Sequence, residues 1–309
     1  MSDLDGCLDG CEPHDGTPEV PTADVLFGDE ALSQLRCDQE LARFVEKLRE
    51  RETLLVERAA ATTRDERLRA YAGLVNDILS GVGIVLPATA YGDSAGLFKA
   101  VASLPLAIEA AHVKRKAREV ARIAMLSDEG GFHVPERAEE LRELWEQAMC
   151  GEPRWSADFP SSAFRTGAVA VRSPWPERML LHKCMEPDEV PAWLDRLINL
   201  LSDERLAPEL RAACGLGLLD WIHPFNDGNG HTGRLLMLAM LNVRYSQLTL
   251  VCLAYELVVN RAATIQQFKQ LRERNNDAIG FCHGMLCQIE DAQERALDLL
   301  DFNLEHSRS

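Results

Sequence analysis

Residues 223–234 read His223-Pro224-Phe225-Asn226-Asp227-Gly228-Asn229-Gly230-His231-Thr232-Gly233-Arg234, and they force a break between two apolar segments. Pro224 disfavours helical geometry at the residue before it, so a helix running from Ala207 must end at His223. Gly228 and Gly230 let the backbone turn tightly and approach a ligand closely. Helical character resumes near Gly230 and continues through Leu235, Leu236, Leu238 and Leu241. The expected local structure is a helix, a glycine loop and a second helix whose N-terminus faces that loop. Free N–H groups and the positive end of the helix dipole make such a loop receptive to phosphate.

The rest of the chain is mostly helical in pattern. Leu41, Phe44, Val45 and Leu48 follow the i, i+3, i+4, i+7 rule, and the period recurs at 67–80, 97–127, 136–149, 190–202, 207–222, 230–243, 261–275 and about 277–305. The long 97–127 stretch has a basic middle (Lys114, Arg115, Lys116, Arg118), expected to be a solvated helix face. Two short β-like runs, 168–171 and 178–181, flank the turn Ser173-Pro174-Trp175-Pro176-Glu177 and predict one hairpin. Many helices and one hairpin make the class mainly α. The expected organisation is a disordered acidic leader (1–29), an N-terminal helical region (30–150), the region holding the glycine loop (151–280) and a C-terminal helix (281–309).

The net charge of −16 is unevenly spread: residues 1–30 hold nine acids and no Lys or Arg, which leaves −7 for the other 279 residues. The acidity describes a tail more than a core, and it argues against nucleic-acid binding by phosphate neutralisation. Nine scattered cysteines, an odd number, favour reduced thiols. No basic segment precedes an apolar one at the N-terminus, and no apolar run reaches the roughly 18–20 residues that span a bilayer. The expectation is a cytoplasmic protein, with a secreted effector as the alternative, and no membrane partner. Cys7, Cys11 and His14 are too few and too loosely placed to argue for a metal site.

Within the loop, His223 is a base-capable imidazole and Asp227 a hard-metal ligand. A carboxylate beside phosphate is unfavourable unless Mg²⁺ bridges the two. Arg234, four residues beyond Gly230, can reach back toward a terminal phosphate with a planar, multi-donor head. Gly228-x4-Gly233-Arg234 has a P-loop-like spacing, but it lacks the Lys and the Ser/Thr and follows a helix instead of a strand. A metal face of His223, Asp227 and His231 would need a continuous helix, which Pro224, Gly228 and Gly230 oppose.

The string resembles the signature of Fic proteins, His-Pro-Phe-x-(Asp/Glu)-Gly-Asn-Gly-Arg-x-x-Arg, matching at His223, Pro224, Phe225, Asp227, Gly228, Asn229, Gly230 and Arg234. Phe164-Arg165-Thr166-Gly167 before the hairpin, and Leu253-Ala254-Tyr255-Glu256 running into Asn260-Arg261 and Phe268, resemble flanking parts of the same family. The resemblance implies a Fic-like helical bundle with a β-hairpin flap over the active-site loop. It also implies transfer of AMP from ATP to a Ser, Thr or Tyr hydroxyl of a target protein. His223 would be the general base, and Asp227 would hold Mg²⁺. Gly228, Asn229, Gly230 and His231 would bind the phosphates with Arg234, which would reach the γ-phosphate. The target would dock by strand addition at the 168–182 hairpin, on the side near Met179–His182.

His231 stands where the signature has Arg, and imidazole offers fewer donors and no fixed charge. Another phosphate-containing donor, removal of AMP, or a nucleotide-binding module with weak catalysis are the alternatives this departure raises. Many members of the family carry (Ser/Thr)-x-x-x-Glu-(Gly/Asn), whose Glu pairs with the second motif Arg. Thr53-x-x-x-Glu57 and Thr62-x-x-x-Glu66 have only the first half, so the sequence offers no partner for Arg234 within the chain. A regulatory partner protein or a homodimer is left to supply one.

Overall fold

The structure, a computed structural model, describes residues 27–87, 92–105, 111–150, 164–172, 180–273 and 278–306. Twelve helices and one strand pair occur among them: α1 (Asp29–Cys37), α2 (Gln39–Ala59), α3 (Arg64–Ser80), α4 (Ser94–Ser103), α5 (Ala111–Glu129), α6 (Glu140–Met149), β1 (Ala170–Arg172), β2 (Leu180–Lys183), α7 (Val190–Leu201), α8 (Pro208–Ile222), α9 (Asn229–Leu241), α10 (Gln247–Val259), α11 (Arg261–Glu273) and α12 (Ala278–His306). The class is mainly α, as the periodicity predicts. Cys7, Cys11, His14 and the leader up to residue 26 lie outside the described residues.

Local chemistry sets the boundaries. Asp38 caps α2 by accepting from the Leu41 N–H at 2.8 Å, which separates α2 from α1. Thr63 and Glu66 form a reciprocal capping box at the start of α3, so the Glu66 of one half-motif is occupied with its own helix end. The 97–127 stretch is two helices instead of one, because Pro105 cannot continue α4 beyond Ser103.

The basic middle of α5 is not a solvated face. Lys114, Arg118 and Arg122 are buried, along with Glu119. Their apolar stems pack inward, and two of the heads find carbonyls: Lys114 donates to Leu104, and Arg122 donates to Ala148 and, at 2.6 Å, to Cys150. Arg115, by contrast, stays exposed.

Helices α8, α9 and α10 form the centre and are buried on nearly every side. Close approach of α8 and α9 depends on Gly233, where a Cβ would stand 2.8 Å from Leu216. Helices α5, α3 and α12 cover α10, while α7 covers α8 and α6 covers α9. Along α2 and α12, Lys47–Glu290, Arg51–Glu294 and Arg58–Asp301 keep one sequence offset of 243, so the two helices run parallel. Being exposed, these pairs fix register more than they add stability.

Two buried carboxylates join the N-terminal helices to this centre. Glu52 accepts from the Ser246 N–H at 2.7 Å, from Thr249 Oγ1 at 3.0 Å and from Gln293 Nε2 at 2.9 Å. Glu209, fully buried, takes a two-pronged bond from Arg49 at 2.9 and 2.8 Å and one from the Tyr245 hydroxyl at 3.3 Å. Burial and the neighbouring Glu209 charge push the Tyr245 phenol pKa up, so it stays a donor.

β1 and β2 each start two residues later than the two β-like runs of the sequence, and the expected flap over the active-site loop is not seen among the described residues. The two strands pair antiparallel, Ala170 opposite Lys183 and Val171 opposite His182, with an irregularity between Val171 and Arg172. The turn residues 173–179 lie outside the described residues. No single helix among the described residues is long and apolar enough to cross a membrane.

Candidate active site

Helix α8 ends at Ile222 and His223 follows in the left-handed region (φ 51°, ψ 57°), the one non-glycine residue with positive φ among those described. Such a backbone needs external support, and Arg165 provides it. This buried guanidinium donates to the carbonyls of His223 (2.7 Å), Ile222 (3.2 Å), Gly167 (2.9 Å) and Met185, while its own N–H bonds Pro224 O at 2.8 Å. Burial pushes the Arg165 pKa down, yet four guanidinium hydrogen bonds to carbonyls keep it satisfied. The approach to the hairpin thus holds the turn that carries His223, a role the sequence did not reveal.

The His223 ring turns back on its own helix, with Nδ1 3.3 Å from the Asp220 carbonyl. A carbonyl can only accept, so Nδ1 carries the proton in this contact and Nε2 carries the lone pair. The imidazole is therefore oriented as a base with Nε2 as its acceptor.

The glycine loop is locked from both sides. Asn229 Nδ2 donates to Phe225 O at 2.7 Å and Asn229 Oδ1 accepts from Phe225 N at 2.9 Å. The Asn229 side chain thus closes the loop, and its backbone opens α9. Phe225 is buried against Trp145 and Phe164, with ring centroids 5.6 and 5.5 Å away. Trp145 Nε1 donates to Asp227 O at 2.7 Å, and Asp227 Oδ1 accepts from Gly228 N at 2.7 Å.

Gly228 has φ 84°, and a Cβ there would stand 2.6 Å from Met149 Sδ and 2.7 Å from Trp145 Nε1. Gly228→Ala is expected to cost about 2–4 kcal/mol through left-handed strain plus overpacking, read as a lowered midpoint of thermal unfolding. An unchanged midpoint would mean that the loop tolerates a side chain.

Arg234 lies back over the loop, as its spacing predicts: its guanidinium would stand 3.4 Å from a Cβ on Gly230. The sequence gives no partner for it within the chain, and here the structure corrects the expectation. Glu119, buried on α5, receives Arg234 Nε at 2.6 Å and Arg234 Nη2 at 2.9 Å. His231 Nδ1 reaches the same carboxylate at 2.9 Å. Since a carboxylate only accepts, Nδ1–H is the donor. One acid therefore grips both basic positions of the signature. The sequence hides this acid, which sits in a basic run without the family's flanking residues, 115 positions from Arg234.

Burial raises the Glu119 pKa, but the Arg234 charge and the His231 and Arg234 bonds outweigh it and hold the carboxyl well below its usual range. A depressed folded value stabilises the protein above the unfolded carboxylate pKa of about 4.3, and this is lost only as pH falls through the folded value. Mild acid does not open the clamp.

Among the described residues no cluster of three His, Cys, Asp or Glu side chains could cage a metal. Asp227 is the carboxylate of the loop, and Mg²⁺ is commonly held by one or two carboxylates together with substrate phosphates.

Residues 110–241 match the Fic/DOC family, a segment that begins just before α5 and so includes Glu119 with the signature. A Fic family protein from Desulfovibrio desulfuricans G20 has a similar structure, with a TM-score of 0.58 at 19% identity, covering 84% of this chain and 73% of that one. Fic-1 (aa134–508) from C. elegans gives 0.51 at 17% identity, covering 89% and 76%. No curated protein matches the chain in sequence. Residues 110–241 are therefore similar to the Fic/DOC family, and the mainly helical fold is that of solved Fic proteins.

Proposed function

We propose that the protein moves AMP from ATP onto a hydroxyl of a target protein and releases pyrophosphate, with Glu119 holding the site at rest. The observation that carries this reading is the short distance along one loop between a base and an anion site. His223 ends α8, Asp227 and Gly228 follow, and α9 begins at Asn229 with its N-terminus toward the loop. In the step itself, His223 Nε2 takes the proton of the target hydroxyl. The freed oxygen bonds to the α-phosphorus, the bond from that phosphorus to the bridging oxygen breaks, and pyrophosphate departs with the electron pair. Asn229 and Gly230 would offer backbone N–H groups to the phosphate oxygens, joined by the Gly228 N–H once Asp227 Oδ1 releases it, and Arg234 would meet the terminal phosphate. Asp227 is the carboxylate that would hold Mg²⁺, whose charge offsets that on the leaving group.

Strands β1 and β2 form a two-stranded sheet, so each has an edge that no other described strand covers. A target segment added along one edge would be held mainly by backbone bonds beside the loop.

In this reading Glu119 competes with ATP. Its two oxygens occupy Arg234 and His231, the groups that would take the terminal phosphates. Release of α5, by a partner protein or by substrate, then switches the site on. The test is intact-mass measurement of Glu119→Gln protein and of lysate proteins after incubation with ATP and Mg²⁺. A gain of one AMP on a protein supports the reading. A gain of a different group would replace AMP transfer by another donor chemistry. ATP binding with no gain on any protein would leave only a nucleotide-binding module.

Arg165 should act through position alone. With Arg165→Ala in the Glu119→Gln protein, kcat is expected to fall about 10²-fold with little change in KM for ATP, because the imidazole is misplaced while the phosphate groups remain. Steady-state transfer kinetics check this, and an unchanged kcat would remove Arg165 from the positioning scheme.

A further inference from the structure

Asp227 and Gly228 share one peptide unit, and both of its polar ends are occupied. The carbonyl, from Asp227, accepts from Trp145 Nε1 at 2.7 Å. The N–H, from Gly228, donates to Asp227 Oδ1 at 2.7 Å. The two bonds differ in kind. The first comes from another helix, α6, whereas the second goes to a carboxylate that rotation about its own side-chain bonds can remove.

A trans peptide is planar, with its C=O and N–H pointing in opposite directions. A carbonyl held toward α6 therefore aims the Gly228 N–H away from α6. Gly228, at φ 84°, does not enforce that choice itself, because glycine accepts either sign of φ and lets such a unit turn over at low cost. The orientation has to be imposed from outside, and Trp145 is the donor that imposes it.

The position of Trp145 is itself fixed. Its indole is buried, with its ring tilted against Phe225, and Met149, one turn along α6, packs on Gly228 beside it. The last carbonyls of a helix have no partner within it. Arg122 of α5 takes two of these at the end of α6, Ala148 and, at 2.6 Å, Cys150. A cation at that end also suits the helix dipole. The turn of α6 that meets the loop is thereby tied to α5.

We propose that Trp145, from outside the signature, is a positioning residue of the phosphate site: it aims the Gly228 N–H at the anion, while Asp227 Oδ1 covers that donor at rest. When the carboxylate turns away, the N–H is uncovered already aimed, so no backbone reorganisation opposes binding. The inference rests on the phosphate-binding part of the proposed function and not on which group is transferred.

The test uses Glu119→Gln protein carrying isotope-labelled glycine, alone and with Trp145→Phe, which keeps a ring against Phe225 and removes the donor. Inorganic pyrophosphate with Mg²⁺ is titrated in, followed by calorimetry and by the Gly228 amide resonance, identified from its loss in Gly228→Ala. The Gly228 amide is expected to shift on pyrophosphate binding with Trp145 present and to lose that response in Trp145→Phe, with affinity about 10-fold weaker. Affinity that falls while the Gly228 response persists makes Trp145 a structural residue only and overturns the inference. So do an affinity and a response that Trp145→Phe leaves unchanged, and in both cases AMP transfer still stands. Should Trp145→Phe fail to fold, the parent protein decides: a Gly228 amide that responds to pyrophosphate supports the inference, and one that does not overturns it. Pyrophosphate binding that depends on Trp145 in a protein without AMP transfer supports the inference and sinks the transfer reading instead. If Glu119→Gln protein binds no pyrophosphate, both are overturned.

Discussion

Replacing His223 is expected to lower AMP transfer by about 10²–10⁴-fold, measured in single turnover on the Glu119→Gln protein, while ATP affinity changes by less than about threefold. The two effects separate because the imidazole acts on the target hydroxyl, whereas ATP is held by the N-terminus of α9 and Arg234. The choice of replacement matters. His223 sits in the left-handed region, where alanine adds a steric cost of about 1–2 kcal/mol. Asparagine tolerates that region, so His223→Asn removes the base with the turn kept, and it should match His223→Ala in transfer but exceed it in thermal stability. Recovery of part of the rate with added imidazole would further tie the loss to the missing base. Transfer that persists in both variants would rule out His223 as the proton acceptor.

Glu119→Gln is expected to raise ATP affinity and transfer on the order of 10–10³-fold. The range follows from two charge-assisted bonds to Arg234 that ATP no longer has to displace, since apparent affinity scales with the fraction of protein in the open state. The same change should lower stability by about 3 kcal/mol, because Arg234 and His231 lose a buried counter-charge. Activity up and stability down is a combined signature that a purely structural carboxylate would not give. If Glu119 only held the fold together, the variant would melt earlier and gain nothing in transfer. Isothermal binding, transfer rate and thermal midpoint on one preparation distinguish the cases.

The parts of the fold written in local chemistry were legible. Pro224, Gly228 and the leucines after Gly230 placed the end of α8 and the start of α9 within a residue or two, and the loop geometry followed from them. The site groups that depend on contacts far apart in sequence were not legible. Glu119 lies just after Lys114, Arg115, Lys116 and Arg118, and a basic run ending in one acid looks like a solvated face until its stems are seen buried. Arg165 looks like an ordinary residue ahead of a hairpin, and only the fold shows four carbonyls converging on it. The α4–α5 break is not legible from periodicity, because the helical period runs across Pro105. Asn229 was identified as part of the loop, but its side-chain partner Phe225 is visible only in three dimensions.

Glu52 and Glu209 carry a practical consequence for anyone wishing to isolate the Fic/DOC segment. Cutting the chain to residues 110–241 would remove α2 and with it Glu52 and Arg49, together with α10 and α12, which supply Thr249 and Gln293. The fully buried Glu209 would stay behind inside the fragment without its guanidinium partner. The stretch that matches the Fic/DOC family is therefore smaller than the set of helices that satisfies its buried groups, and dissection experiments should begin at α1 and run through α12.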